Sequence, residues 1–95
     1  MKTLADLKRD LIVGKSIEMT YNAFKPRTPE LSLIGKIRKI RAVNSVGISI
    51  EREKDGIMGK SELRYPKAIE LEYIGDTFSI YNDKKELELS YKIHN

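Results

Sequence analysis

The densest grouping of chemically capable side chains in this sequence is Lys36-Ile-Arg-Lys-Ile-Arg41, four cations in six residues. Cations clustered on one element can contact phosphates, and the planar guanidinium forks of Arg38 and Arg41 suit phosphate oxygens bidentately. Ile37 and Ile40 stand three apart, so a flat strand sends them to opposite faces. A bulge near Arg38 or Lys39 returns both isoleucines to the core and bends the strand. Lys36, Arg38 or Lys39, and Arg41 then face solvent as one basic ridge. Lys15 extends that ridge, with Lys8 and Arg9, if the N-terminal segment lies beside the strand. Tyr21 and Phe24 are close in sequence and offer stacking surfaces of the kind used to hold single strands. The ordinary alternative is that cations on an outer strand face protect an edge from aggregation.

Catalytic chemistry finds little to work with. His94 is the only histidine and the penultimate residue. Chain ends fray, whereas a general base must be held within about 3 Å of its proton, so an exposed tail residue is expected. The absence of cysteine removes disulfides, thiolate metal sites and cysteine nucleophiles together. Glu51/Glu53, Glu70/Glu72 and Glu86/Glu88 are spaced to share a strand face, and paired carboxylates can hold Mg²⁺ or move protons. Each pair, however, lies on the polar side of an alternating segment, where soluble β-proteins place charge. Glu51-Arg-Glu-Lys54 is similar to the carboxylate–lysine spacing of some nucleases, whose cores need a longer chain. No Gly-rich phosphate loop or nucleophile elbow occurs. The expectation is a non-enzymatic protein with no metal and no cofactor.

The elements that must position these residues follow from hydrophobic period. Thr3 and Asp6 match the two halves of a helix capping box, and Leu4, Leu7 and Leu11 form one apolar stripe. Gly14 supplies a stop. A helix this short does not persist alone in water, so it must dock on the rest of the fold. From Ser16 the period becomes two, with Ile17, Met19 and Tyr21 on one face. Ala23 to Leu31, with Pro26 and Pro29, reads as a loop, and Lys25-Pro-Arg-Thr-Pro29 fits the loose PxxP pattern of polyproline ligands. Leu33 to Val43 is the irregular strand that carries the cations. Asn44-Ser-Val-Gly47 is a turn, Ile48 and Ile50 continue a strand, and Lys54-Asp-Gly56 opens a polar loop that includes Gly59.

Further on, Leu63 and Tyr65 suggest a short strand stopped by Pro66. Ile69, Leu71 and Tyr73 alternate with glutamates, and Gly75-Asp76 turns the chain toward Phe78 and Ile80. After Asn82-Asp83, Leu87, Leu89, Tyr91 and Ile93 alternate without a break. The fold class expected is mainly β (α+β): a short N-terminal helix followed by a strongly curved antiparallel sheet or a small SH3-like or OB-like barrel. A helix packed on an open antiparallel sheet is the alternative. Residues 1–95 form a single domain, since 95 residues suffice for one thin core and leave no room for a deep substrate cavity.

Charge is unevenly spread. Net charge is +4, yet residues 1–45 carry ten Lys/Arg against four Asp/Glu, while residues 46–95 are mildly acidic. A basic first half permits attraction to a polyanion. No stretch approaches the roughly 20 apolar residues needed to span a bilayer, and charges at Asp6 to Asp10 break any signal-peptide core. A cytoplasmic location without membrane association is expected. Lysine is twice as common as arginine and isoleucine outnumbers leucine, as in AT-rich genomes.

In size, charge and single-domain format the chain resembles small accessory proteins encoded by phages and mobile elements. That resemblance implies an anti-defence inhibitor, for example of anti-CRISPR type, that binds a host protein. The residues themselves lean instead toward a module that binds nucleic acid or a nucleoprotein through Lys36, Arg38, Lys39, Arg41 and Lys15. A structural or assembly protein that pairs through an edge strand is the third expectation.

Overall fold

The structure, a computed structural model, describes residues 1–24, 34–54 and 56–95, the side chains of Glu53 and Lys54 excepted. Thr3 caps helix α1 (Leu4–Asp10), and the Thr3–Asp6 capping box is complete. Capping bonds hold the Asp6 carboxyl below its usual range, first through the Thr3 backbone N–H. The helix closes at Leu11, three residues before Gly14, whose φ of +101° lets the chain turn into the sheet.

Seven strands follow. They are β1 (Ser16–Asn22), β2 (Ile37–Val43), β3 (Gly47–Lys54), β4 (Ile57–Arg64), β5 (Leu71–Ile74), β6 (Thr77–Tyr81) and β7 (Leu87–His94). They form one antiparallel sheet in the order β4-β3-β2-β1-β7-β6-β5. Two meanders run outward from the centre and are stitched together where β1 pairs with β7. The chain passes from β4 to β5, the two opposite edges, through residues 65–70, including a 3₁₀ turn at Ala68–Glu70. Seven strands laid flat span about 29 Å at the usual spacing. The connecting backbone reaches at most about 25 Å even fully extended. The sheet must therefore curl, and it is fairly curled without closing into the barrel that was one of the two expectations.

The N-terminal segment sits across the remaining gap. Lys2 donates its backbone N–H to the Tyr73 carbonyl at 2.9 Å, which covers the edge of β5. The Tyr73 hydroxyl donates to Asp10 at 2.7 Å. Lys8 lies 5.2 Å above the Tyr65 ring, just beyond the end of β4. Leu7 and Leu11 are wholly buried in the core with Ile17, Met19, Ile40, Ile48, Ile50, Leu71, Tyr73, Phe78, Tyr91 and Ile93. Phe78 stacks on Tyr91 at 5.1 Å and meets Tyr73 edge-on at 6.4 Å. Burying a helix stripe against the concave face of the sheet is what makes so short a helix stable.

Several sequence expectations are corrected. The strand expected at Leu63–Tyr65 is much longer, because β4 starts at Ile57 and Gly59 lies within it, opposite Arg52. At Gly47 a side chain would place Cβ 2.1 Å from the Leu63 carbonyl oxygen, so glycine is what lets β3 and β4 approach. Ile69 does not join the alternation of β5. It lies in the 3₁₀ turn and is 92% exposed. Leu89 is half-buried at the edge of the core rather than within it. The proline loop, its PxxP pattern, Leu33 and Asp55 of the expected turn fall mainly or wholly outside the described residues.

Candidate functional site

The six-residue basic run starts at Lys36, just before β2, continues along that strand and does not form the ridge its spacing suggests. Residues directly opposite each other in an antiparallel pair share a face. Arg38 is opposite Ile17, which is wholly buried, and Ile37 is opposite Glu18 on the other side of the sheet. No bulge occurs between Ile37 and Ile40, so plain alternation turns Arg38 and Ile40 inward and Ile37 and Lys39 outward. Ile37 is consequently 59% exposed, whereas Arg38 retains only 8% of its surface. The bulge is present, but displaced: the register shifts between Ile40 and Ala42, where Arg41 is the extra residue. The irregularity expected near Arg38 or Lys39 thus sits two to three residues later.

The five predicted cations are separated by this geometry. Lys36, immediately before β2, and Lys39 are exposed and form no ion pair among the described residues. Arg41 is paired with Glu51 on β3, which spends much of its charge locally. Lys15 is half-buried, and its carbonyl accepts the Ile40 N–H at 2.9 Å, so it does lie beside β2. Lys8 and Arg9 do not join the group. The helix docks at β5 and Tyr65, where Lys8 covers an aromatic ring and Arg9 pairs with Asp6.

What the sequence reading missed is an outward turn on β1. Strict alternation sends Ile17, Met19 and Tyr21 to the core together. The register with β7 shifts after Met19, making Thr20 an extra residue. Tyr21 then stands opposite Ser90, whose hydroxyl bonds to Ser79 on the outer face, away from Phe78 and Tyr91. Tyr21 is 43% exposed as a result. Phe24 follows just beyond the strand, held by its N–H on the Asn22 side-chain oxygen at 2.9 Å, and is exposed too. Nothing in the side-chain pattern marks this bulge; only the pairing with β7 defines it.

The chain returns to the same place. Gly35 donates to the Met19 carbonyl at 3.0 Å and Ile34 bridges to Met19, which brings the approach to β2 alongside the end of β1. The β1–β2 lip therefore carries Tyr21, Phe24, Ile34 and Ile37, all exposed, with Lys36 just before Ile37 and Lys39 farther along β2, opposite Ser16 at the start of β1. His94 is not a frayed tail residue. It is the last residue of β7 and lies 2.9 Å from Glu18 through Nε2, on the outer face beside this lip. A shallow cleft of about 320 Å³ lies elsewhere, between the β2–β3 turn and the end of β4. No helix among the described residues is long and apolar enough to cross a membrane. Comparison of the chain with family models, curated proteins and solved structures returns no match.

Proposed function

We propose that the protein is a non-enzymatic binding module of the cell interior that holds single-stranded nucleic acid, free or within a nucleoprotein, across the β1–β2 lip. The observation that carries this reading is that exposed Tyr21 and Phe24 stand at one end of the β1–β2 pair, while the exposed cations Lys36 and Lys39, which form no ion pair among the described residues, follow along the neighbouring strand. Aromatic rings accept any base face, worth about 1–3 kcal/mol per stacked base, while cations track the backbone. Buried apolar residues behind the lip keep its two strands in register without involving the binding side chains. Two phosphate contacts on a single strand give a log–log salt slope of about −1.4.

The test is fluorescence anisotropy with short single-stranded and duplex DNA and RNA at low and moderate salt. Replacing Lys36 and Lys39 by glutamine should flatten the slope toward zero. Tyr21→Ala or Phe24→Ala should weaken binding by about 5- to 100-fold, as loss of one stacked base implies. No binding to any of these at low salt would falsify the reading.

A second reading, a protein partner, is favoured by a different observation. β4 is an edge strand of eight residues whose tip exposes Ile57 and Met58. Uncovered edges pair with other strands, of a host protein or of a second copy. Binding of that kind is weakly dependent on salt and insensitive to changes at Lys36 and Lys39.

A further inference from the structure

Arg38 poses a problem the outer lip does not answer. Its side chain is drawn into the concave face beside Ile17, and its Nε has no hydrogen-bond partner among the described residues. A buried polar group without a partner is costly, and natural structures pair such groups. A neighbouring cation adds to that cost. Counting two residues outward from the Ile40–Ile50 pair along each strand reaches Arg38 and Arg52, and alternation turns both toward the face of that pair. Arg52 is exposed and close enough for its charge to oppose that of Arg38. No acidic side chain pairs with either among the described residues. The Tyr91 ring, stacked on Phe78, forms the adjacent wall and is held in its neutral form by burial.

We infer that Arg38 and Arg52 form a two-cation site on the concave face that takes a phosphate group. Two guanidinium ions match a phosphomonoester or inorganic phosphate, which carries about −1.5 to −2 charge at pH 7, better than a monoanionic carboxylate or phosphodiester. Arg38 supplies the fixed donors through its guanidinium fork, since packing immobilises its chain. Arg52 closes over the bound group from the rim. This site lies on the opposite face of β2 from Lys39 and stands whether or not the outer lip binds nucleic acid. The phosphate belongs either to a small molecule or to a nucleic-acid 5′ end, and one set of titrations separates these sources.

The experiment measures thermal midpoints and the Arg38 Nε–H proton signal in phosphate, against chloride and acetate at matched pH and ionic strength. Wild-type protein should melt about 5 °C or more higher once phosphate exceeds its dissociation constant tenfold, and the Nε–H signal should shift. Arg52→Gln, an exposed change that leaves the core alone, should remove most of the gain. Arg38→Met should remove all of it, yet melt no lower than wild type without phosphate, because an apolar chain replaces a buried Nε–H that lacks a partner among the described residues. A 5′-phosphorylated oligonucleotide that shifts the Nε–H signal, where its unphosphorylated twin does not, identifies a strand end. A shift with inorganic phosphate alone identifies a small-molecule ligand. The inference is overturned if wild type gains nothing over acetate, or if the gain survives both substitutions. It is equally overturned if Arg38→Met melts well below wild type without phosphate, which would mean the guanidinium already has a partner.

Discussion

Beneath the helix, Leu7, Leu11, Tyr73 and Phe78 are buried almost completely, and their polar atoms find partners within the fold. At the β1–β2 lip the same sheet turns Tyr21 and Ile37 out to solvent and takes Arg38 in. The strands under the helix are short and free of cations, whereas those of the lip are longer and β2 carries three. One end maximises burial. The other gives up apolar contact and packs an arginine side chain against the core, which is how binding surfaces commonly depart from packing rules. Local exceptions to packing are thus a better guide to function here than the number of cations in a row.

The comparison is broken most forcefully from the packed end. Leu7→Ala should cost about 2–5 kcal/mol, because the wholly buried side chain leaves a cavity that the helix and sheet cannot both close. Ile40→Ala should cost a similar amount, for the same reason. Leu89→Ala should cost less, about 1–2 kcal/mol, since the residue is only half-buried. Urea unfolding with an unchanged m-value is the appropriate measurement. If Leu89 proves as costly as Leu7, the core extends further toward the lip than its burial shows.

The Tyr73–Asp10 bond sharpens the same contrast through pH. Burial, reinforced by the hydrogen bond and the Asp10 charge, pushes the Tyr73 hydroxyl well above the usual phenol range. A raised folded-state pKa means stability that is fully present below the unfolded value near 10 and lost as pH rises beyond it. Tyr73→Phe should cost about 1–2 kcal/mol at neutral pH by deleting a bond to a charged acceptor. It should also reduce the fall in stability above pH 10 by one proton's contribution. Tyr65 and Tyr91 keep theirs, because burial raises them as well. An unchanged alkaline slope would show that Tyr73 titrates as freely when folded as when unfolded.

Legibility in the sequence followed how completely each strand obeys one rule. In β7, Leu87 to Ile93 alternate with polar residues, which marks the strand plainly even though its register shifts against both neighbouring strands. The Thr3–Asp6 box similarly fixed the helix start, since capping is local chemistry. The β2 run has two isoleucines three apart, and a bulge and an exposed isoleucine both satisfy that pattern. Choosing between them requires the partner strands: Ile17 and Ile50 determine which residue of β2 meets the core. Tyr21 was illegible for a related reason, because its bulge is visible only against Ser90 and Tyr91. The cations were therefore found in the right strand, and their division between two faces was not.

The smallest predicted effect is also the most direct check on that division. Ile37 and Ile40 share a strand, and the structure places them on opposite faces, with exposures of 59% and 2%. Ile37→Thr keeps a β-branched side chain of high strand propensity and alters only what faces solvent beside Glu18. Its stability should stay within about 0.5 kcal/mol of wild type, as for other exposed substitutions. If the lip holds nucleic acid, the same change should weaken binding slightly while leaving the salt slope intact, because no cation is lost. A loss of 2 kcal/mol or more, on the order of a core truncation, would put Ile37 inside. Arg38 would then return to solvent, the basic ridge would be restored as one surface, and the concave phosphate site would lose its fixed donor.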